Sequence, residues 1–178
     1  MFAPQMDDKC SKYLTYRDLI EVGETFNTSN LTNEPVQWSS YMALRDISTF
    51  LLDPIIDKFG RIDITYGFCS HGLSRKIPGR IAPQLDQHSA FENNSLGHRI
   101  CKRDGAAVDF FVPKYRENMQ IVADWIIENL AFDRLYFYGE NRPIHLSYSD
   151  IPSKKATAFS LGKSGRRIPK VYVSRGEK

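Results

Sequence analysis

The chain has 178 residues, of which 42% are hydrophobic and 25% charged, with a formal net charge of +3. This composition fits one soluble globular domain with a sizeable core, and it excludes disordered and fibrous classes. No apolar run approaches the roughly 20 residues that span a bilayer, and the N-terminus lacks the basic start and apolar core of a secretory signal, so a cytoplasmic protein is expected.

Residues 13–26 predict a helix, with Thr15 as cap and Asp18 three residues on in the manner of a capping box. Asn30, Asn33 and Pro35 mark a loop. A second helix opens at Ser39 or Ser40, with Tyr41, Leu44, Ile47, Leu51 and Ile55 at helical spacing. Pro54 should kink or restart it, and Gly60 should end it. Residues 61–66 alternate as a strand does. Residues 70–104 show no periodicity and contain Gly72, Pro78, Gly79, Pro83 and Gly97; so long an irregular insertion is usually functional or disordered. Residues 106–112 predict a strand, 113–130 a third helix, and 132–138 with 144–148 a hairpin. Residues 171–173 predict an edge strand. The fold class is α+β, a small, mostly antiparallel sheet with helices packed on one face. The boundaries are those of a single domain over 1–178, with a basic extension at 151–178.

The residues that invite chemistry lie far apart along the chain. Gly105-Ala106-Ala107-Val108 delivers Asp109 into the apolar run Phe110-Phe111-Val112. A carboxylate there should be paired or metal-bound, because an isolated buried charge is costly. His145 sits between Ile144 and Leu146 in an apolar strand. Taken singly, each is equally read as a satisfied polar group of the core: His145 hydrogen-bonded there, Asp109 capping a turn or pairing with Arg103 or Arg134. His71 and His98, in glycine-containing loops, read as surface residues. Cys10, Cys69 and Cys101 cannot all pair and form no Cys-x-x-Cys motif, so a disulfide framework is not expected. Cys69 and Cys101 read as inert buried thiols rather than nucleophiles. The run Tyr136-Phe137-Tyr138 reads as core packing or as a pocket wall that could stack a base.

The order of these elements resembles the D-alanyl-D-alanine metallo-carboxypeptidases, zinc peptidases of the Hedgehog fold, in their phage and bacterial cell-wall branch. The resemblance covers residues 13–150. It rests on the helix end Leu51-Leu52-Asp53-Pro54-Ile55-Ile56-Asp57-Lys58-Phe59-Gly60, on Ile62-Asp63-Ile64-Thr65-Tyr66-Gly67-Phe68-Cys69-Ser70, on Gly105, Ala107 and Asp109, and on His145-Leu146-Ser147-Tyr148. It implies a Zn2+ ion held by Asp109, His145 and a first histidine. Strict family spacing puts Lys102 at that first position. His88, in Asp86-Gln87-His88-Ser89, is the histidine that replaces it, since a longer surface loop between two ligands costs little entropy. Two imidazoles and one carboxylate leave a fourth tetrahedral position, as in catalytic zinc sites.

Two positions depart from the family. Its arginine after the first strand is Cys69 here, and a thiol offers no fork of donors; Arg75 or Arg80 would have to stand in. Its catalytic glutamate has no aligned counterpart; Tyr138 falls at one plausible position, and Glu140 close by and Glu92, four residues after His88, are the candidate bases. The implied function is zinc-dependent hydrolysis of a peptide or other amide, with a D-amino-acid cell-wall peptide as the substrate the family suggests. The alternative is a non-peptidase member that binds or modifies nucleic acid or another phosphate-bearing partner. For this the insertion offers Arg75, Lys76, Arg80, Arg99, Lys102 and Arg103, and the tail offers Lys155, Lys163, Arg166, Arg167, Lys170, Arg175 and Lys178. A solvated basic terminus explains that tail equally, and a third reading is an inactive protein-interaction domain.

Overall fold

The computed structural model describes residues 3–77, 82–162 and 165–174. Its centre is a six-stranded sheet in the order β1-β2-β4-β3-β5-β6. The strands are β1 (Asp63–Tyr66), β2 (Ala106–Phe111), β3 (Arg134–Phe137), β4 (Ile144–Tyr148), β5 (Lys155–Leu161) and β6 (Arg167–Val171). All neighbours run antiparallel except β3 and β5, which are parallel. The α+β class and the mostly antiparallel sheet agree with the expectation from sequence.

Side chains alternate across a strand, so the two faces of this sheet are different surfaces. One carries Val108, Phe110, Leu135, Ile144 and Leu146, all fully buried. Against it pack α3 (Trp38–Ile47), through Leu44 and Ile47, and α6 (Met119–Asn129), through Met119, Val122 and Ile126. The opposite face carries Asp109, His145, Tyr136 and Thr157, neighbours in one row across β2, β4, β3 and β5.

Several boundaries differ from expectation. The first helix is two short ones, α1 (Tyr16–Ile20) and α2 (Glu24–Asn27), because Gly23 adopts φ +108° between them. The capping box is as expected: Thr15 N–H donates to Asp18 Oδ2 at 2.8 Å, and Asp18 N–H to Thr15 Oγ1. The second helix runs from Trp38 to Phe59, but through a π-helical turn, Ser48–Leu52, before α4 (Asp53–Phe59). Asp53 N–H bonds Ser48 O, five residues back. This wider turn absorbs Pro54, whose ring would clash with an ordinary α-helical carbonyl. The third helix is a 3-10 turn, Pro113–Tyr115, followed by α6.

Residues 70–104 contain a short helix, α5 (His71–Ser74), two 3-10 turns and an isolated bridge, Asn93↔Arg99. The segment read as a basic tail is instead β5 and β6, which extend the same sheet. The edge strand expected at 171–173 lies earlier, as β6 (Arg167–Val171), and Tyr172 just after it is buried and donates its hydroxyl to Asp124 Oδ1 on α6 at 2.7 Å. Arg80, Lys163, Arg175 and Lys178 lie outside the described residues. Among the described residues, no helix is long and apolar enough to cross a membrane.

Candidate metal centre

Asp109 and His145 face each other across the β2–β4 ladder. Gly105 makes that register possible. Its φ is +93°, and a Cβ there would lie 1.7 Å from Tyr148 O, so only glycine lets the chain enter β2 at this point. His88 arrives from the irregular insertion, on the 3-10 turn Gln87–Ser89. Asp86 caps that turn by accepting from His88 N–H at 3.0 Å. Cys69 N–H donates to His88 O at 2.8 Å, and Gln87 Nε2 donates to Asp104 O at 2.8 Å and Asp133 Oδ2 at 3.0 Å. The loop is thus tied to the sheet on both sides of the histidine.

The three side chains converge on one point. His145 Nδ1 is 2.8 Å from Asp109 Oδ1, His88 Nε2 is 3.2 Å from His145 Nδ1, and His88 Nε2 is 3.3 Å from Asp109 Oδ1. The two imidazole side chains are 4% and 10% exposed, while the carboxylate is 25% exposed, so the cluster opens to solvent on the Asp109 side.

The other ring nitrogen of His88, Nδ1, lies 2.8 Å from Gly67 O. A carbonyl only accepts, so Nδ1 carries a proton, and in the neutral ring the lone pair of Nε2 points into the cluster. Gly67 is itself fixed by close approach: a Cβ there would meet Leu19 O at 2.1 Å. Each imidazole also packs on a tyrosine. Tyr66 lies 4.1 Å from the His88 ring centre, and Tyr136 stacks on His145 at 4.7 Å and 14°. Arg103 holds the Tyr136 hydroxyl at 3.1 Å and Leu85 O at 3.0 Å.

With His88 neutral, its Nε2 and Asp109 Oδ1 are two acceptors facing one another, and either a proton on Nε2 or a bound cation supplies the positive charge between them. The electrostatics agree. Burial disfavours the Asp109 carboxylate, but the charges and hydrogen bonds of His88 and His145 more than offset it and hold its pKa well below the usual carboxylate range. Burial likewise opposes charge on His88, yet Asp109 first, then Asp86 and the Gly67 carbonyl, raise its pKa above the usual histidine value. The donor set also has metal geometry. Ligands at 2.0–2.1 Å around a tetrahedral ion stand about 3.3 Å apart, which two of the three edges match, and the third, at 2.8 Å, is shorter. Among the described residues, His88, Asp109 and His145 form the group able to hold a metal ion.

The remaining candidates lie elsewhere. Glu92 is 3% exposed, and its Oε1 accepts from Val36 N–H, Gln37 N–H and Ser40 Oγ at 3.1, 3.0 and 2.8 Å. It caps the start of α3, a structural task that occupies the carboxylate oxygen a base would use. Glu140 is exposed in the turn between β3 and β4, where its main-chain oxygen accepts from Met119 N–H at 2.9 Å. Lys102 is exposed, its N–H bonded to Gln84 O. Cys69 and Cys101 are fully buried, and burial pushes the Cys101 thiol pKa up.

Reading the sequence alone gives Tyr66, Gln87, Asp133 and the Gly67 carbonyl no part in the site, and Tyr136 only the general role of core packing or a pocket wall. Only Tyr136 leaves a usable signal, since it shares strand parity with Tyr138 and, through the hairpin, faces His145. Fold and site together define an α+β protein with a His–Asp–His cluster on the open face of its sheet. Compared with protein-family models, curated proteins and solved structures, the chain matches none of them.

Proposed function

We propose that this protein is a zinc-dependent hydrolase of amide bonds, with the ion held by His88 Nε2, Asp109 Oδ1 and His145 Nδ1. The observation that supports it best is the triangle of three donor atoms, held by Gly67 O on one side and by the β2–β4 register on the other. Bound zinc would acidify a water and polarise a substrate carbonyl. The chain's own residues do the rest. The Gly67 carbonyl keeps His88 in the tautomer that presents Nε2, Tyr66 and Tyr136 fix the ring planes, and the 25% exposed Asp109 side leaves an approach for substrate. Glu140, in the turn joining the strands of Tyr136 and His145, is assigned to accept the proton of the attacking water. The motif resemblance around Asp109 and His145 supports a peptide-like amide.

Elemental analysis of untagged protein is the test. About one zinc per chain, lost on His145→Ala and retained on Glu140→Gln while hydrolysis falls, is the expected result. A metal-free wild type indifferent to chelators refutes the reading. The phosphate-partner alternative has weaker support, because Arg99 pairs with Asp104 at 3.3 Å and Arg103 turns inward to Leu85 O and Tyr136.

A further inference from the structure

The β5–β6 hairpin adds more than two strands to the sheet. Its parallel pairing with β3 places Thr157 beside Tyr136 and carries Phe159 onto the face that holds the metal cluster. Phe159 packs edge-on to Tyr136 at 5.5 Å and stacks on Tyr138 at 5.1 Å and 22°. The guanidinium of Arg167, opposite Leu161 on β6, then lies 4.5 Å over the Tyr138 ring. A continuous series of ring contacts thus joins His145 through Tyr136, Phe159 and Tyr138 to one arginine.

Arg167 is exposed, and among the described residues no carboxylate pairs with it. Arg103 is already engaged by Leu85 O and Tyr136, and Arg134, on the same face of β3, lies 3.6 Å from Asp133 Oδ2. Stacking on a tyrosine fixes the plane of a guanidinium while leaving its edge of N–H donors outward, and that edge matches a carboxylate or phosphoryl group with two parallel hydrogen bonds.

We propose that Arg167, braced by Tyr138 and Phe159, is an oxyanion-binding residue that selects ligands carrying a carboxylate or phosphoryl group on the sheet face that holds the metal cluster. This builds on the reading of that cluster as the reacting centre, yet anion binding is measured without turnover, so the two fail separately. The experiment is calorimetric titration of full-length protein, zinc-loaded and chelated, with N-acetylglycylglycine, its C-terminal amide and inorganic phosphate. A charge-assisted pair contributes about 1.5–3 kcal/mol, so wild type is expected to bind the free acid or phosphate about 10–100-fold more tightly than the amide. Arg167→Ala should bring that ratio close to one with zinc content and denaturation midpoint unchanged, and Arg167→Lys, which keeps the charge but not the fork, should fall between. Whichever anion binds more tightly identifies the source of the oxyanion. Equal binding of all three probes by wild type overturns the proposal, as does a preference that survives Arg167→Ala. A preference that persists in chelated protein with no detectable zinc uptake supports Arg167 and refutes the hydrolase.

Discussion

Two regions build the candidate centre by different means. Strands β2 and β4 hold Asp109 and His145 by a ladder of main-chain hydrogen bonds between buried neighbours, so the pair is set by register. Among its described residues, the insertion that supplies His88 adds no strand to the sheet. Its position comes from individual polar ties: Gln87 to Asp104 and Asp133, Cys69 to the His88 carbonyl, Gly67 O to the ring, and Glu92 to the start of α3. Repeating pairing tolerates the loss of one bond because its neighbours remain. A loop held by a few side chains does not, so substitutions there should act on metal affinity well before they act on the strands.

The largest effect is expected at Glu92. Glu92→Ala strands the buried Ser40 hydroxyl and two N–H groups at the head of α3, and should cost about 3 kcal/mol in guanidinium unfolding; a loss under a third of that would show the carboxylate is not the insertion's main anchor. Next comes Gln87→Ala, which releases the loop from Asp133 and Asp104. Zinc affinity by competition with a chelator should fall about 10–100-fold, as for other residues that orient a ligand, while Asp109 and His145 stay paired.

A smaller effect follows from pH. The Asp133 carboxyl is destabilised by burial but stabilised more by the Ser153 hydroxyl and N–H, by Gln87 and by Arg134, so its folded pKa lies below the ordinary 3.8. A depressed carboxylate contributes stability that is complete above 3.8 and disappears as pH drops through the folded value. Asp133→Asn should therefore lower stability at neutral pH and flatten the acid limb of stability against pH, measured by thermal melts below pH 5. The smallest effect belongs to Tyr136→Phe, which keeps the stack on His145 and removes one hydrogen bond from Arg103; about 1 kcal/mol or less is expected, with zinc content unaltered.

The same contrast decides what could be read from the amino acids. Asp109 and His145 were legible because a carboxylate and an imidazole inside apolar, strand-like runs need a partner, and periodicity shows which runs are strands. His88 came only from the likeness of its local motif, since nothing periodic points to it. Glu92 looked like a base because it stands four residues after a histidine; its true partners, Val36, Gln37 and Ser40, lie more than fifty positions earlier, where sequence spacing carries no information. The hairpin of β5 and β6 was hidden for a different reason. Lys155-Ala156-Thr157-Ala158 alternates small residues weakly, and the charges after it resemble a solvated terminus. The π-helical turn was invisible too, although Pro54 marked where the regular helix had to give way.

Pro169 sits opposite Phe159 in the outermost strand, between the exposed Arg167 and Lys170. A border strand lacking one amide hydrogen and carrying two positive charges is a poor template for another chain to zip against. The molecule thus gains a wider sheet whose border strand resists pairing along its main chain.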